Sequence, residues 1–185
     1  MSKCEVSFGK LSKAEKRVAI AKDVLKWIKT GVAKAETGTY FRIPQLDGDE
    51  GINSELFGNL ELRDIIEKNQ LKCTVCAKGA IFLSSLMKRN NFTLNMLSSY
   101  GEVRGQECCD RVSDIFTRTQ LDLIEDAFEG TYETSDGVDY WNTYDDGYSN
   151  KDKAIKKFYE KYTTDEGRLV AIMNNIIKNK GEFVL

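Results

Sequence analysis

The chain contains no histidine. That absence removes the Cys–His and Ser–His–Asp pairings that activate most protein nucleophiles. It removes the imidazole ligands of the common zinc and iron centres, and the side chain that most often acts as a general base near neutral pH. Any catalysis would have to rest on carboxylates, lysine, tyrosine or thiolate. Runs of about 18 apolar residues are also missing, so no membrane-crossing helix is expected. The N-terminal stretch MSKCEVSFGKLSKAEKRVAIAK is charged throughout and lacks the apolar core of a secretion signal. The expectation is therefore a cytoplasmic protein. Charge of one sign is not in excess: 27 basic and 29 acidic residues leave a net charge of -2, so nothing pulls the whole chain toward nucleic acid or anionic membrane. Neither a P-loop nor a G-x-G-x-x-G stretch occurs. No cofactor is implied, and no internal repeat, low-complexity tract or linker is found.

What is present suits one folded domain spanning residues 1–185. The apolar fraction is 41%, with 9 Phe, 8 Tyr and 2 Trp, enough to form a core at this length. The cysteines are Cys4, Cys73, Cys76, Cys108 and Cys109. An odd number in a cytoplasmic chain reads as thiols rather than disulfides.

Helix signals recur along the chain. Ser12 followed by Glu15 forms a capping box, Val18, Ala21, Val24, Leu25 and Ile28 fall on one face, and Gly31 ends the helix. TYFRIP, closed by the only proline, Pro44, reads as a short extended segment or edge strand. A polar loop leads to a helix from about Asn59, with Leu62, Ile65 and Ile66 inward. The next helix is expected over roughly Thr74 to Arg89. FTLNMLSSY is a short apolar piece, GEVRGQE a loop, and CCDRVSDIF a helical turn or short helix. Thr117 with Gln120 caps a helix with Leu121, Ile124, Ala127 and Phe128 inward, ending at Gly130. Residues 131–150 read as an aromatic-acidic loop insertion. KDKAIKKFYEKY is helical again. Thr163 with Glu166 opens a last helix with Leu169, Ile172, Met173, Ile176 and Ile177 inward, and Gly181 ends it. The fold class expected is mainly α: a single-domain helical bundle of about six helices with one or two short extended segments.

The stretch CTVCAKGAIFLSSLMK, Cys73 to Lys88, raises three readings. Cys73 and Cys76 could join Cys108 and Cys109 around zinc, giving a zinc-stabilised structural module, but the adjacent second pair splays its side chains. A redox C-x-x-C wants a βαβ context, and none is visible. The third reading is a core helix: Cys76, Ala80, Leu83 and Met87 share a face, and the small Gly79–Ala80 pair would admit a neighbouring helix. Core packing is favoured. A thiol at a helix start also feels the positive end of the helix dipole, so Cys76 stands as the candidate reactive thiol. An enzyme using Cys76 or paired carboxylates is the alternative function. No metal site is assigned.

The 131–150 segment carries Tyr132, Tyr140, Tyr144 and Tyr148 beside Trp141, with Asp136, Asp139, Asp145 and Asp146. An EF-hand register fails, because placing Gly147 at loop position six brings Lys153 to the position that needs a bidentate glutamate. Tyrosine and tryptophan are enriched at binding hot spots and their faces stack on bases. Lys151, Lys153, Lys156, Lys157 and Lys161 follow on the next helix, where a phosphate-bearing ligand could meet them. The candidate ligand or partner site is therefore Tyr140, Trp141, Tyr144, Asp145 and Tyr148 with Lys156 and Lys157.

Three pieces taken together, CTVCAKGAIFLSSL, LDLIEDAFEG (Leu121 to Gly130) and RLVAIMNNIIKNKGEFV (Arg168 to Val184), resemble segments of small bacterial and bacteriophage proteins of unassigned function. These carry a Cys-x-x-Gly-Ala helix and a closing Ile-Met-x-Asn-Ile-Ile segment, matched here by Cys76, Gly79 and Ala80 and by Asn174 and Asn175. The resemblance implies no specific chemistry. It implies a phage accessory protein in the host cytoplasm, a non-catalytic binding protein that inhibits a host defence component or sequesters a small polar or nucleotide ligand. The expected partner is thus a host protein or such a ligand, with no membrane and no strong nucleic-acid signal. A homo-oligomer stays open.

Overall fold

The computed structural model describes residues 7–42, 72–89, 110, 112–134, 137–140 and 150–185, with the backbone alone for 131–134 and 137–140. The protein is mainly α. Its described residues hold five α-helices and a one-turn 3-10 helix at Phe8–Lys10. The helix expected from Asn59, the apolar piece 92–100 and the loop from Gly101 lie outside the described residues.

The capped helices form as their local chemistry dictates. In α1 (Lys13–Thr30) the Ser12 hydroxyl accepts the Glu15 N–H at 3.3 Å and the Glu15 carboxylate accepts the Ser12 N–H at 2.9 Å. That reciprocal pair satisfies donors the helix itself leaves unpaired, and the Ser12 hydroxyl holds the Glu15 carboxyl below its ordinary range. Gly31 closes α1 in the left-handed conformation. The buried stripe is Ile20, Ala21, Val24 and Trp27, joined by Arg17. Val18, Leu25 and Ile28 are only half-buried, because the stripe is centred on Trp27 and on the arginine that holds the chain's end.

The Cys73–Lys88 stretch departs from the expectation of one helix from Thr74. Cys73–Val75 is a strand, β3, at the centre of a three-stranded sheet of order β1–β3–β2. It runs parallel to β1 (Ala33–Ala35), with Ala33 opposite Cys73, and antiparallel to β2 (Phe41–Arg42), with Phe41 opposite Val75. The edge strand expected in TYFRIP is thus present as β2. Helix α2 begins only after Cys76 and spans Ala77–Arg89. Periodicity could not separate the strand from the helix that follows it, because Cys73–Val75 is only three residues long and buried throughout, with no alternation to mark a strand. The β-branched Thr74 and Val75 are decided by two strand partners distant in sequence.

Helix α3 (Arg118–Glu129) has the capping box of Thr117 with Gln120 and ends at left-handed Gly130. The segment from Thr131 is more regular than a loop: β4 (Thr131–Thr134) and β5 (Gly137–Tyr140) form an antiparallel hairpin with Thr131 opposite Tyr140. Helix α4 spans Asn150–Lys161 and buries only Ile155 completely. Helix α5 spans Asp165–Lys178, and its cap is Thr164, whose hydroxyl accepts the Gly167 N–H at 3.1 Å. The expected Thr163–Glu166 cap is therefore one residue early. With the glycine at the bonding position, no side chain returns to the cap.

Packing places α2 at the centre. Helix α1 lies against α5 and α2, and α3 lies against α2, α4 and α5. Phe82, Phe116, Phe128, Ile81 and Leu83 are among the largest fully buried side chains. Each such side chain contributes about 1.5–3 kcal/mol by leaving water. No described helix is long and apolar enough to cross a membrane.

Candidate functional site

The site is built from the end of the chain. After α5 the backbone turns back through a Schellman motif: the Gly181 N–H bonds the Ile176 carbonyl at 2.8 Å and the Lys180 N–H bonds that of Ile177 at 3.2 Å. Lys180 takes the left-handed position, φ 53°. Gly181 follows with φ 105°, pressed so close to α1 that a Cβ would lie 2.7 Å from the Ala14 carbonyl oxygen. Arg17 then pairs with the Glu182 carboxylate at 2.6 Å and donates to the Gly181 carbonyl at 3.3 Å. Gln120 also donates to Glu182, tying the tail to the start of α3. Phe183 packs edge-on against Phe158 of α4, ring centroids 5.6 Å apart. Finally, the Asn175 amide grips Val184 on both sides, accepting its N–H at 2.9 Å and donating to its carbonyl at 2.6 Å.

These contacts hold Val184 and Leu185 at 51% and 39% exposure, the exposed large apolar side chains among the described residues. They form one wall of a cleft of about 700 Å³ between α4 and α5. Both helices pack on α3 more closely than on each other, which leaves the gap. Phe158, Val170 and Ala171 contribute apolar surface. The charged lining is Lys157, Lys161 and Lys178, with no carboxylate side chain among the described lining residues. The Lys161 ammonium lies 5.3 Å from the centre of the Tyr162 ring. A cleft of this size with apolar walls and a few polar groups has the character of a binding site, and its cationic lining suits an anion.

A second polar cluster joins α2 to α3. Lys78, its side chain 7% exposed, pairs with Asp122 at 3.1 Å and with Glu125. Lys151 pairs with Asp126 at 3.5 Å, and burial pushes the Asp126 carboxyl up. Glu129 accepts the Gly38 N–H at 2.9 Å. Burial pushes its carboxyl up to about 7, with Glu125 and Asp165 adding repulsion and the Gly38 N–H and Arg168 opposing. Next to it Asp165 accepts the Thr37 N–H at 2.9 Å and pairs with Arg168. The Arg168 guanidinium lies 4.3 Å from the Tyr159 ring centre. Two carboxylates thus pin successive amides of the 37–38 turn to α3 and α5.

Among the residues picked from sequence, Lys157 lines the cleft, while Lys156 is half-buried on α4 and is not part of the lining. Tyr140 ends β5. Trp141, Tyr144, Asp145 and Tyr148 lie outside the described residues. Cys76 is 2% exposed. Its sulfur accepts the Gly79 N–H at 3.4 Å, and burial pushes the thiol up to about 12. Cys73 is likewise pushed to about 12 by burial. Both are core thiols, protonated at neutral pH and shielded from reagents. Cys108 and Cys109 lie outside the described residues. Sequence reasoning noted Lys161 without placing it in the site, and it missed Lys178, Val184 and Leu185. The signal for the last two was available: three apolar residues, Phe183 to Leu185, follow Glu182 close after a helix that ends in lysine. No protein-family model, curated protein or solved structure matches this chain.

Proposed function

We propose that the protein is a non-catalytic binding protein that engages an anionic partner through the cleft between α4, α5 and the C-terminal tail. The observation that carries this reading is the lining: three lysines and no carboxylate side chain among the described residues around apolar walls, in a chain whose overall charge is -2. Local charge reversal of that kind attracts anions and steers their approach. The resemblance of three segments to small bacterial and phage proteins supports a host component as the target.

The test is a titration of isotopically labelled protein with ATP and with an oligo-glutamate peptide, followed by backbone amide shifts. A binding cleft responds to at least one of these anions at α4, α5 and Val184, and K157E/K161E abolishes the response. Silence of the cleft toward both overturns the reading.

A second reading, an enzyme built on paired carboxylates, is favoured by one observation: Glu129 is pushed up to about 7 beside Glu125, and a general base works best with its pKa near the operating pH. An activity of that kind would be lost in E129Q with the fold intact.

A further inference from the structure

We infer that the occupant of the cleft is an amphipathic α-helix of a partner protein, with acidic residues flanking its apolar stripe. This deepens the binding reading above and rests on it. The first argument is spacing. On α4 the cleft is lined at 154, 157, 158 and 161, and on α5 at 167, 170, 171, 174, 175 and 178. Both sets follow the three-and-four alternation with which one helix meets another. They belong to two helices that are each packed on α3 rather than closely on each other. A gap between two helices, lined on both sides at helical spacing, is the shape a third helix fills.

The second argument is length and shape. From Gly167 to Lys178 the α5 seam runs about 16 Å, which matches about three turns of a partner helix. The third is charge. Lys157 and Lys161 stand on the α4 side and Lys178 on the α5 side, so a helix lying between them meets cations along both edges. Asp or Glu at its flanking positions meets these lysines with attraction, whereas Lys or Arg there would meet them with repulsion. The fourth is the wall. Val184 and Leu185 are held by the Asn175 amide, the Phe183–Phe158 contact and the Arg17–Glu182 pair. Backbone fixed in that way presents the two apolar side chains at a set place on the wall, and little further ordering of the main chain opposes binding.

The probes are four: a capped synthetic helix of about three turns with leucines at helical spacing flanked by glutamates; the same peptide with lysines for glutamates; the glutamate peptide with a central proline; and ATP. Each is titrated into the full-length labelled protein. The glutamate peptide is expected to shift amides of α4, α5 and Val184–Leu185, and to bind roughly tenfold more tightly than the lysine or proline versions. K157E/K161E should invert the preference between glutamate and lysine peptides. V184D/L185D should weaken both while leaving the core spectrum unchanged, because these side chains are exposed. Equal binding of all three peptides overturns the helix inference. So does binding of ATP with none of the glutamate peptide, an outcome that leaves the cleft an anion site. If no probe perturbs the cleft, the inference and the binding reading fall together.

Discussion

The carbonyl oxygen of Tyr40 occupies the space that a side chain on Gly79 would need: an ideal Cβ there would sit 1.3 Å from it. The small pair Gly79–Ala80 does admit a neighbour, as the sequence suggested. The neighbour is the backbone leading into strand β2 rather than a helix. The approach is fixed from the other side as well, since the Cys76 N–H bonds the Thr39 carbonyl at 2.6 Å.

Gly79→Ala reports on this contact through the sign of its effect. In an exposed helix the change gains up to about 1 kcal/mol. Here the added methyl meets backbone that cannot rotate away, so a loss of about 3 kcal/mol or more is expected. Urea denaturation measures it, and an unchanged or raised midpoint would contradict the packing described.

Glu129 makes stability depend on pH in a defined window. Its carboxyl is pushed from an ordinary 4.5 up to about 7 in the folded protein. The folded state therefore holds its proton more tightly than the unfolded chain. Stability from this group is greatest below the unfolded value and declines as pH rises from about 4.5 to about 7. E129Q keeps an acceptor for the Gly38 N–H and removes the titration. The variant should be the more stable protein at pH 8, by about 1 kcal/mol once the solvent-exposed share of the group is discounted. That advantage should vanish near pH 4. Thermal melts of both proteins across this range measure the difference, and parallel curves would refute the assignment.

Asn175 tests the tail. N175A removes both hydrogen bonds to Val184 and should cost about 1 kcal/mol. Its larger effect should be local: faster hydrogen exchange at Val184 and weaker binding at the cleft, with α1 and α2 unaffected. Protection at Val184 equal to that of the parent protein would show that the Asn175 amide does not hold the tail.

The core thiols give a chemical test. Peptide mapping after brief alkylation at pH 8 should find Cys73 and Cys76 unlabelled in the native protein and fully labelled in urea. Burial holds both near 12, so native labelling of Cys76 would revive the nucleophile reading.

Much of this molecule is written locally. Both capping boxes, Ser12 with Glu15 and Thr117 with Gln120, lie within one helical turn, and the glycines that end those helices act through their own backbone. Such features need no partner from elsewhere, so composition and spacing suffice for them and for the mainly α class. The absence of histidine is equally local and limits the available chemistry without any coordinates. Strand β3 is different. Cys73–Val75 becomes a strand because β1 and β2 come to its two sides, and a three-residue segment buried throughout carries no period that could announce it. The cleft is different for the same reason. Lys157, Lys178 and Leu185 sit on α4, on α5 and on the tail after it, and face one space only because α4 and α5 both pack on α3 and the tail folds back over Asn175. Sequence alone determined where α1 and α3 begin and end, because their caps are local. Tertiary structure decided which of their surfaces stay uncovered, because that depends on which elements compete for the same neighbour.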